Sequence, residues 1–211
     1  MELESESDPT AYHSHTEILP VLFPTFTLSI QQYSFHPLNA NQVWPGCLHF
    51  AEWLESHWDW VEGKTVLELG AGCGALAIWL RKKGVQVTTC DYDDGEIEGN
   101  IRENCRLNGV ETLPHIPHTW GTAFPCTPPF PLVLASDILI YVSQYPALVN
   151  TLQQLLATGA QMLLSNRRRI DSEADFLRLC EEGGLETRHL GAKVFHIQKR
   201  NAAAGESRKS T

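Results

Sequence analysis

No apolar run in the 211-residue chain approaches the ~18 uncharged residues that a membrane-spanning helix needs, so no transmembrane segment is expected. The opening residues MELESESDPT are acidic and lack the basic-then-apolar order of a secretory leader, so no export signal is expected either. Six cysteines (Cys47, Cys73, Cys90, Cys105, Cys126, Cys180) include no CxxC, which leaves neither a disulfide framework nor a zinc spacing. They read as reduced, mostly buried thiols of a cytoplasmic protein that can also enter the nucleus. The nine histidines are equally dispersed, and no metal is assigned. Positive charge is scarce: 16 basic side chains face 25 acidic ones, a net charge of −9. Residues 1–17 hold five acids and no base, and residues 198–211 hold four bases and one acid, leaving 12 bases against 19 acids, or −7, in residues 18–197. Phosphate contacts supply most nucleic-acid affinity, so an acidic body argues against a nucleic-acid partner and suits a cationic one. No internal repeat is visible.

What is present suffices for one folded domain. At 43% apolar, a chain of this length buries roughly 70% of its unfolded surface. Residues 1–16, an acidic tail, and 201–211 (NAAAGESRKST) are polar or small, without period, and expected to be flexible. Residues 17–200 read as a single domain, with N-terminal strands and a helix in 17–62 and an α/β core in 63–200. Ile18 to Tyr33 suggests one or two short strands. Cys47, Phe50, Ala51, Leu54 and Trp58 fall on one helical face. Strands at Thr65–Leu69, Gln86–Cys90, His115–His118, Leu132–Ser136 and Gln161–Ser165 then alternate with helices. The helices are Gly74–Lys83, Asp94–Leu107, one opened by Pro146, and Asp171–Glu182. Glu186–Leu190 and Lys193–Gln198 form a closing hairpin around Gly191-Ala192. The predicted class is α/β: a Rossmann-like, seven-stranded, mostly parallel sheet with helices on both faces and a C-terminal antiparallel hairpin. Ligands of such sheets bind beyond the C-terminal strand ends, where the strand order switches.

The strand ends therefore carry the functional signal. Glu68-Leu69-Gly70-Ala71-Gly72-Cys73-Gly74 follows the first buried strand of the core, and its glycines let backbone approach a ligand without a Cβ in the way. Gly70, Gly72 and Ala75 also satisfy the dinucleotide pattern G-x-G-x-x-A. Glu68 argues against a phosphate there, since a carboxylate at the strand end repels one and suits an ammonium group. The next strand ends at Asp91, 21 residues past Gly70, the place of an acid that accepts hydrogen bonds from a ribose diol. Each acid also has a plainer reading, as a strand-end charge or a helix N-terminal charge beside Asp93 and Asp94.

With Glu68, Gly70, Gly72, Gly74 and Asp91 in these places, the sequence resembles the seven-β-strand S-adenosylmethionine-dependent methyltransferases. Gln42-Val43-Trp44-Pro45-Gly46 upstream and Thr119-Trp120-Gly121 downstream narrow the resemblance to the protein-lysine methyltransferase group, methyltransferase family 16. The match spans roughly residues 40–165. It implies S-adenosylmethionine as cofactor, with S-adenosylhomocysteine as product, and a protein substrate bearing the acceptor lysine. Carried onto this chain, the resemblance implies that Glu68, Gly70, Ala71 and Gly72 hold the cofactor's amino-acid portion and Trp44 lines its methionine end. Asp91 then meets the ribose, Tyr92 lies beside the adenine, Trp120 stacks on it and Ser136 lines the site. Trp53, Trp58, Trp60 and Trp79 are left to packing.

For the acceptor side, the family's acid-x-x-aromatic corresponds to Asp137 with Tyr141 one place later. Asp137 would orient an incoming amine by hydrogen bonding and Tyr141 would contact the cation. Thr127-Pro128-Pro129-Phe130 precedes its strand and so cannot act as the Pro-Pro-aromatic motif of base-methylating enzymes. Arg167-Arg168-Arg169 reads as a solvated charge run or as a contact for an acidic patch. The expected function is methyl transfer to a protein lysine by a monomer. A small-molecule or other side-chain methyltransferase, a dinucleotide oxidoreductase and a non-catalytic module of the same fold remain alternatives.

Overall fold

The computed structural model describes residues 15–125, 130–167 and 172–200. The two expected tails up to residue 14 and from residue 201, the Thr127–Pro129 stretch, and Arg168 and Arg169 lie outside the described residues. The expected elements are present. In chain order they are β1 (Thr16–Leu22), β2 (Thr27–Tyr33), α1 (Pro45–Ser56), β3 (Thr65–Leu69), α2 (Ala75–Lys82), β4 (Gln86–Asp91) and α3 (Gly95–Leu107). There follow β5 (His115–Pro117), β6 (Leu132–Ser136), α4 (Tyr145–Leu155), β7 (Gln161–Ser165), α5 (Glu173–Glu182), β8 (Leu185–Gly191) and β9 (Val194–Lys199). β1 starts at Thr16, inside the expected N-terminal tail.

Seven strands form one sheet in the order β5-β4-β3-β6-β7-β9-β8. The first five run parallel, and β9 returns antiparallel to both β7 and β8. Strand alternation divides the interior into two cores. Val66, Leu132, Leu134 and Leu163 face α1, α2 and α3, with Phe50, Leu76 and Trp79 behind them. Leu67, Leu69, Val133 and Met162 face α4 and α5, with Leu148, Leu152 and Phe176 behind them. Both faces of the central strands β3, β6 and β7 are buried, which is why β6 and β7 read as nearly continuous apolar runs, with Glu68 the one break in β3. The chain leaves β3 on one side for β4 and β5, then comes back to add β6 on the other. A crevice opens at that reversal, beyond the ends of β3, β4 and β6.

β1 and β2 pair only with each other and pack as a separate hairpin against α3. The free edge of β2 is bonded by asparagine side chains of the helix. Asn104 Oδ1 accepts Gln31 N–H at 2.6 Å, and Asn104 Nδ2 donates to Gln31 O at 3.3 Å. Asn108, which closes α3, does the same for Ser29 N–H and O at 2.9 and 2.8 Å. Since Ser29 points both backbone groups at α3, its β1 partner Pro20 sits in a non-hydrogen-bonded pair. The N–H that proline lacks thus falls on the open edge of the hairpin, where it obstructs addition of a further strand.

From β2 a strap, residues 34–44, crosses the crevice to α1. Asn41 anchors it, accepting Tyr33 N–H on its carbonyl at 2.8 Å and donating its side chain to Tyr33 O at 3.2 Å. Val43 N–H donates to Gln32 Oε1 at 2.9 Å.

Candidate active site

Gly70 and Ala71 turn their N–H groups onto Cys90 O at 2.8 and 3.2 Å, which folds the glycine loop over the end of β4. Gly70 has φ +74°, and a Cβ there would lie 2.5 Å from Ile138 Cγ2, so conformation and space both require glycine. Asp91 clamps the loop from below: Oδ2 accepts Gly72 N–H at 2.6 Å and Oδ1 accepts Tyr92 N–H at 2.7 Å. Burial pushes its pKa up, and these two N–H donors act in the opposite sense. Each oxygen has a second lone pair, so the carboxylate can still accept from a diol.

The crevice has two parts. A large lobe of about 470 Å³ is lined by Pro37, Leu38, Asp91, Tyr92, His118 and Trp120. It continues past Gly70 into a chamber of about 90 Å³ lined by Asn39, Trp44, Ser136, Asp137, Ile138 and Tyr141, with Gly72 beside them. Of the residues expected at the cofactor, the structure thus brings together Trp44, Gly70, Gly72, Asp91, Tyr92, Trp120 and Ser136. Ala71 and Glu68 line neither part: Ala71 is buried with its N–H on Cys90 O, and Glu68 lies beneath the loop.

Glu68 lies outside the lining and bonds the start of α2. It is 2% exposed, and its Oε2 accepts Ala77 N–H, in the first turn of α2, at 3.0 Å. The N-cap of α2 is Gly74, which has no side chain to cap with, so Glu68 supplies the missing acceptor from the neighbouring strand. Burial raises its pKa to about 8, with Asp91 adding to the rise and the Ala77 N–H opposing it.

Asp137 follows the same pattern. It is 3% exposed, with Oδ2 accepting Gly46 N–H at 2.7 Å and Oδ1 accepting Arg167 N–H at 3.0 Å. Trp44, the N-cap of α1, makes no capping side-chain bond, and Asp137 provides one from across the crevice. Both carboxylate oxygens are engaged by backbone. Asp137 also borders the chamber, and each of its oxygens keeps a second lone pair, as those of Asp91 do.

Tyr141 does face the chamber, and its hydroxyl accepts a hydrogen bond from Asn39 Nδ2. Asn39 sits at φ +57°, bonded through its N–H to His36 O at 3.0 Å and through its carbonyl to Trp44 Nε1 at 2.9 Å. Sequence reasoning missed Asn39, Leu38 and His118. Pro37-Leu38-Asn39-Ala40-Asn41 reads locally as a turn, and only the crossing of the strap brings it to the crevice.

Among the described residues, His36, Asp94 and Glu96 form a group with the composition of a metal site. His36 Nδ1 accepts Leu38 N–H at 3.2 Å, which places the ring proton on Nε2. Nε2 then carries the proton and faces Asp94 at 3.6 Å and Glu96 at 3.9 Å, beyond hydrogen-bond distance. The group holds the strap against the start of α3 by electrostatics.

A family model described as lysine methyltransferase matches residues 23–183. Protein N-lysine methyltransferase METTL21A of Xenopus tropicalis is 29% identical over 142 residues, 66% of this chain and 66% of that protein, so the match spans just under two thirds of the relative. EEF1A lysine methyltransferase 3 of Mus musculus is 29% identical over 193 residues, 88% of this chain and 77% of that one. Among solved structures, the CcbJ methyltransferase from Streptomyces caelestis superposes with a TM-score of 0.57 at 12% identity, covering 80% of this chain and 94% of that one, a likeness of fold.

Proposed function

The chain belongs to the lysine methyltransferase family, and from that premise we propose that it transfers a methyl group from S-adenosylmethionine to a lysine side chain of a protein. The observation that carries this reading is the joined shape of the crevice. A large lobe with a diol-binding acid and aromatic walls opens, past bare glycine backbone, into a small chamber bounded by hydroxyl and amide groups.

The residues fit the cofactor. Asp91 retains lone pairs for a ribose, and Tyr92 and Trp120 are aromatic lining on which a base can stack. Gly70, Gly72 and the Trp44 indole fit the methionine portion. When bound, S-adenosylmethionine supplies a methyl group activated by its sulfonium. A lysine with a pKa of ~10.4 must lose its proton before it can act as a nucleophile. Tyr141 and Ser136 present neutral oxygens, which can orient the amine without favouring the ammonium form as a free carboxylate does. Trp44, Ile138 and Ile140 form apolar walls, and loss of water also favours the neutral amine. Asn39 fixes the Tyr141 hydroxyl, and Asp137 fixes the start of α1 and so the Trp44 wall.

The test is incubation with methyl-labelled cofactor and cell extract, followed by mass spectrometry of labelled proteins. Methyl-lysine on one or a few proteins is the expected result. Asp91→Ala is expected to lose cofactor binding by calorimetry, whereas Tyr141→Phe keeps binding and slows transfer by about 10- to 100-fold. A preparation that binds cofactor but labels no protein would sink the lysine reading in favour of a small-molecule acceptor. Five free, buried cysteines among the described residues support a reducing compartment, the cytoplasm. Coverage of both sheet faces by the chain's own helices supports a monomer, which sedimentation velocity checks.

A further inference from the structure

His118 directly follows β5 and belongs to the wall of the large lobe, together with Asp91 and Trp120. Its backbone N–H donates to Asp91 O at 2.8 Å, which sets it one strand away from the diol-binding acid. The imidazole packs on Phe124, with ring centroids 4.8 Å apart, and its Nε2 lies 3.0 Å from Thr151 Oγ1 on α4. Thr151 is fully buried, and its Oγ1 already accepts Gly121 N–H at 3.0 Å. A backbone N–H can only donate, so the hydroxyl proton has one acceptor left among its contacts, His118 Nε2. The proton of the neutral ring is thereby placed on Nδ1. Burial holds the imidazole below its ordinary pKa, which keeps it neutral at pH 7. Among the described residues Nδ1 has no hydrogen-bond partner.

We propose that His118 reads the base of the cofactor, its Nδ1–H donating a hydrogen bond to a ring nitrogen of adenine. This rests on the reading that the crevice holds S-adenosylmethionine. Stacking on Tyr92 or Trp120 uses the face of a base, and every base has a face, so it binds without selecting. An edge donor selects, because it needs an acceptor nitrogen opposite it and rejects a C–H or N–H at that place. The tautomer makes His118 a residue of cofactor specificity, and Thr151, which never touches the base, is what holds the donor in place.

The experiment uses S-adenosylhomocysteine and its 1-deaza, 3-deaza and 7-deaza analogues, each with one ring nitrogen replaced by C–H, titrated calorimetrically into the full-length protein. The wild type is expected to bind one of the three about 3- to 10-fold more weakly than S-adenosylhomocysteine. His118→Phe keeps a ring against Phe124 but has no N–H. It is expected to bind S-adenosylhomocysteine more weakly by the same factor and to show no discrimination against that analogue. The ¹⁵N resonance of His118 Nδ1 in labelled wild type is expected to have the protonated form and to shift on addition of S-adenosylhomocysteine. Equal binding of all three analogues by the wild type would overturn the proposal without any variant, as would discrimination that survives in His118→Phe. A wild type that binds no S-adenosylhomocysteine at all would overturn the cofactor reading itself, and this proposal with it.

Discussion

Asp137 holds a left-handed backbone, φ +51°, while both carboxylate oxygens bond to backbone N–H groups of distant segments. Removing that side chain strands the buried Gly46 N–H, so Asp137→Ala is expected to lower stability by about 2–4 kcal/mol in urea melts. Asp137→Asn, which tolerates positive φ and keeps one acceptor, is expected to lose about half as much. An acid that served only to orient a substrate amine would leave the melt unchanged. Glu68 makes a pH-dependent prediction. Its folded-state pKa of about 8 lies above its ordinary 4.5, so the folded protein binds more protons in that interval. Stability therefore falls as pH rises from about 5 to 8 and levels off above. Glu68→Gln keeps an acceptor for Ala77 N–H and removes this slope. It is expected to match the wild type near pH 5 and to exceed it by a few kcal/mol at pH 8.5. That acids stand at the strand ends was legible from the residues alone. That Glu68 and Asp137 also bond helix starts was not, because a cap missing at Gly74 or Trp44 shows only once the helix and the strand are side by side.

Secondary elements were legible wherever periodicity is strong. The strands read at Thr65–Leu69, Leu132–Ser136 and Gln161–Ser165 have the bounds of β3, β6 and β7, and Asp94 caps α3 through Glu96 N–H at 2.8 Å. Weaker boundaries moved: the helix expected to reach Trp58 stops at Ser56, and Trp58–Trp60 make a separate 3₁₀ turn. That the α3 asparagines stand in for a strand was not legible, since that depends on where the hairpin packs. Asn104 bonds Gln31 on both backbone groups and Cys73 O at 2.9 Å, tying the hairpin to the glycine loop. Asn104→Ala takes their partner from Gln31 N–H and Cys73 O and leaves Gln31 O only Asn100 Nδ2 at 3.4 Å, and it is expected to cost about 2–4 kcal/mol. It should also weaken S-adenosylhomocysteine binding, since Cys73 lies within the loop. Asn108→Ala, at the accessible end, is expected to lose less than about 1 kcal/mol, because water can replace its bonds. A urea series on both variants checks the ranking.

At the scale of the molecule, strand order locates the crevice, and alternation of strands and helices was sufficient to anticipate it. Of the strap, only Trp44 was legible, through the family resemblance, because nothing in residues 34–43 says what they cross. Binding to the folded state alone raises stability by about 2.7 kcal/mol at a ligand concentration 100 times the dissociation constant. For a chain of this size that is a rise of about 5–10 °C in melting temperature. Differential scanning fluorimetry with S-adenosylhomocysteine is expected to show it in the wild type and not in Asp91→Ala. The placing of the strap has its own source. Four helical residues advance about 6 Å and two strand residues about 6.6–6.8 Å. Asn104 and Asn108 can therefore meet Gln31 and Ser29 together, rung by rung. The helix works as a gauge rod laid along the hairpin: a slip of one residue turns the wrong edge toward it, and a slip of two leaves a rung empty. The strap begins one residue after β2 ends, and α3 begins four residues after Asp91. Floor and cover of the crevice are thus both measured from the same helix.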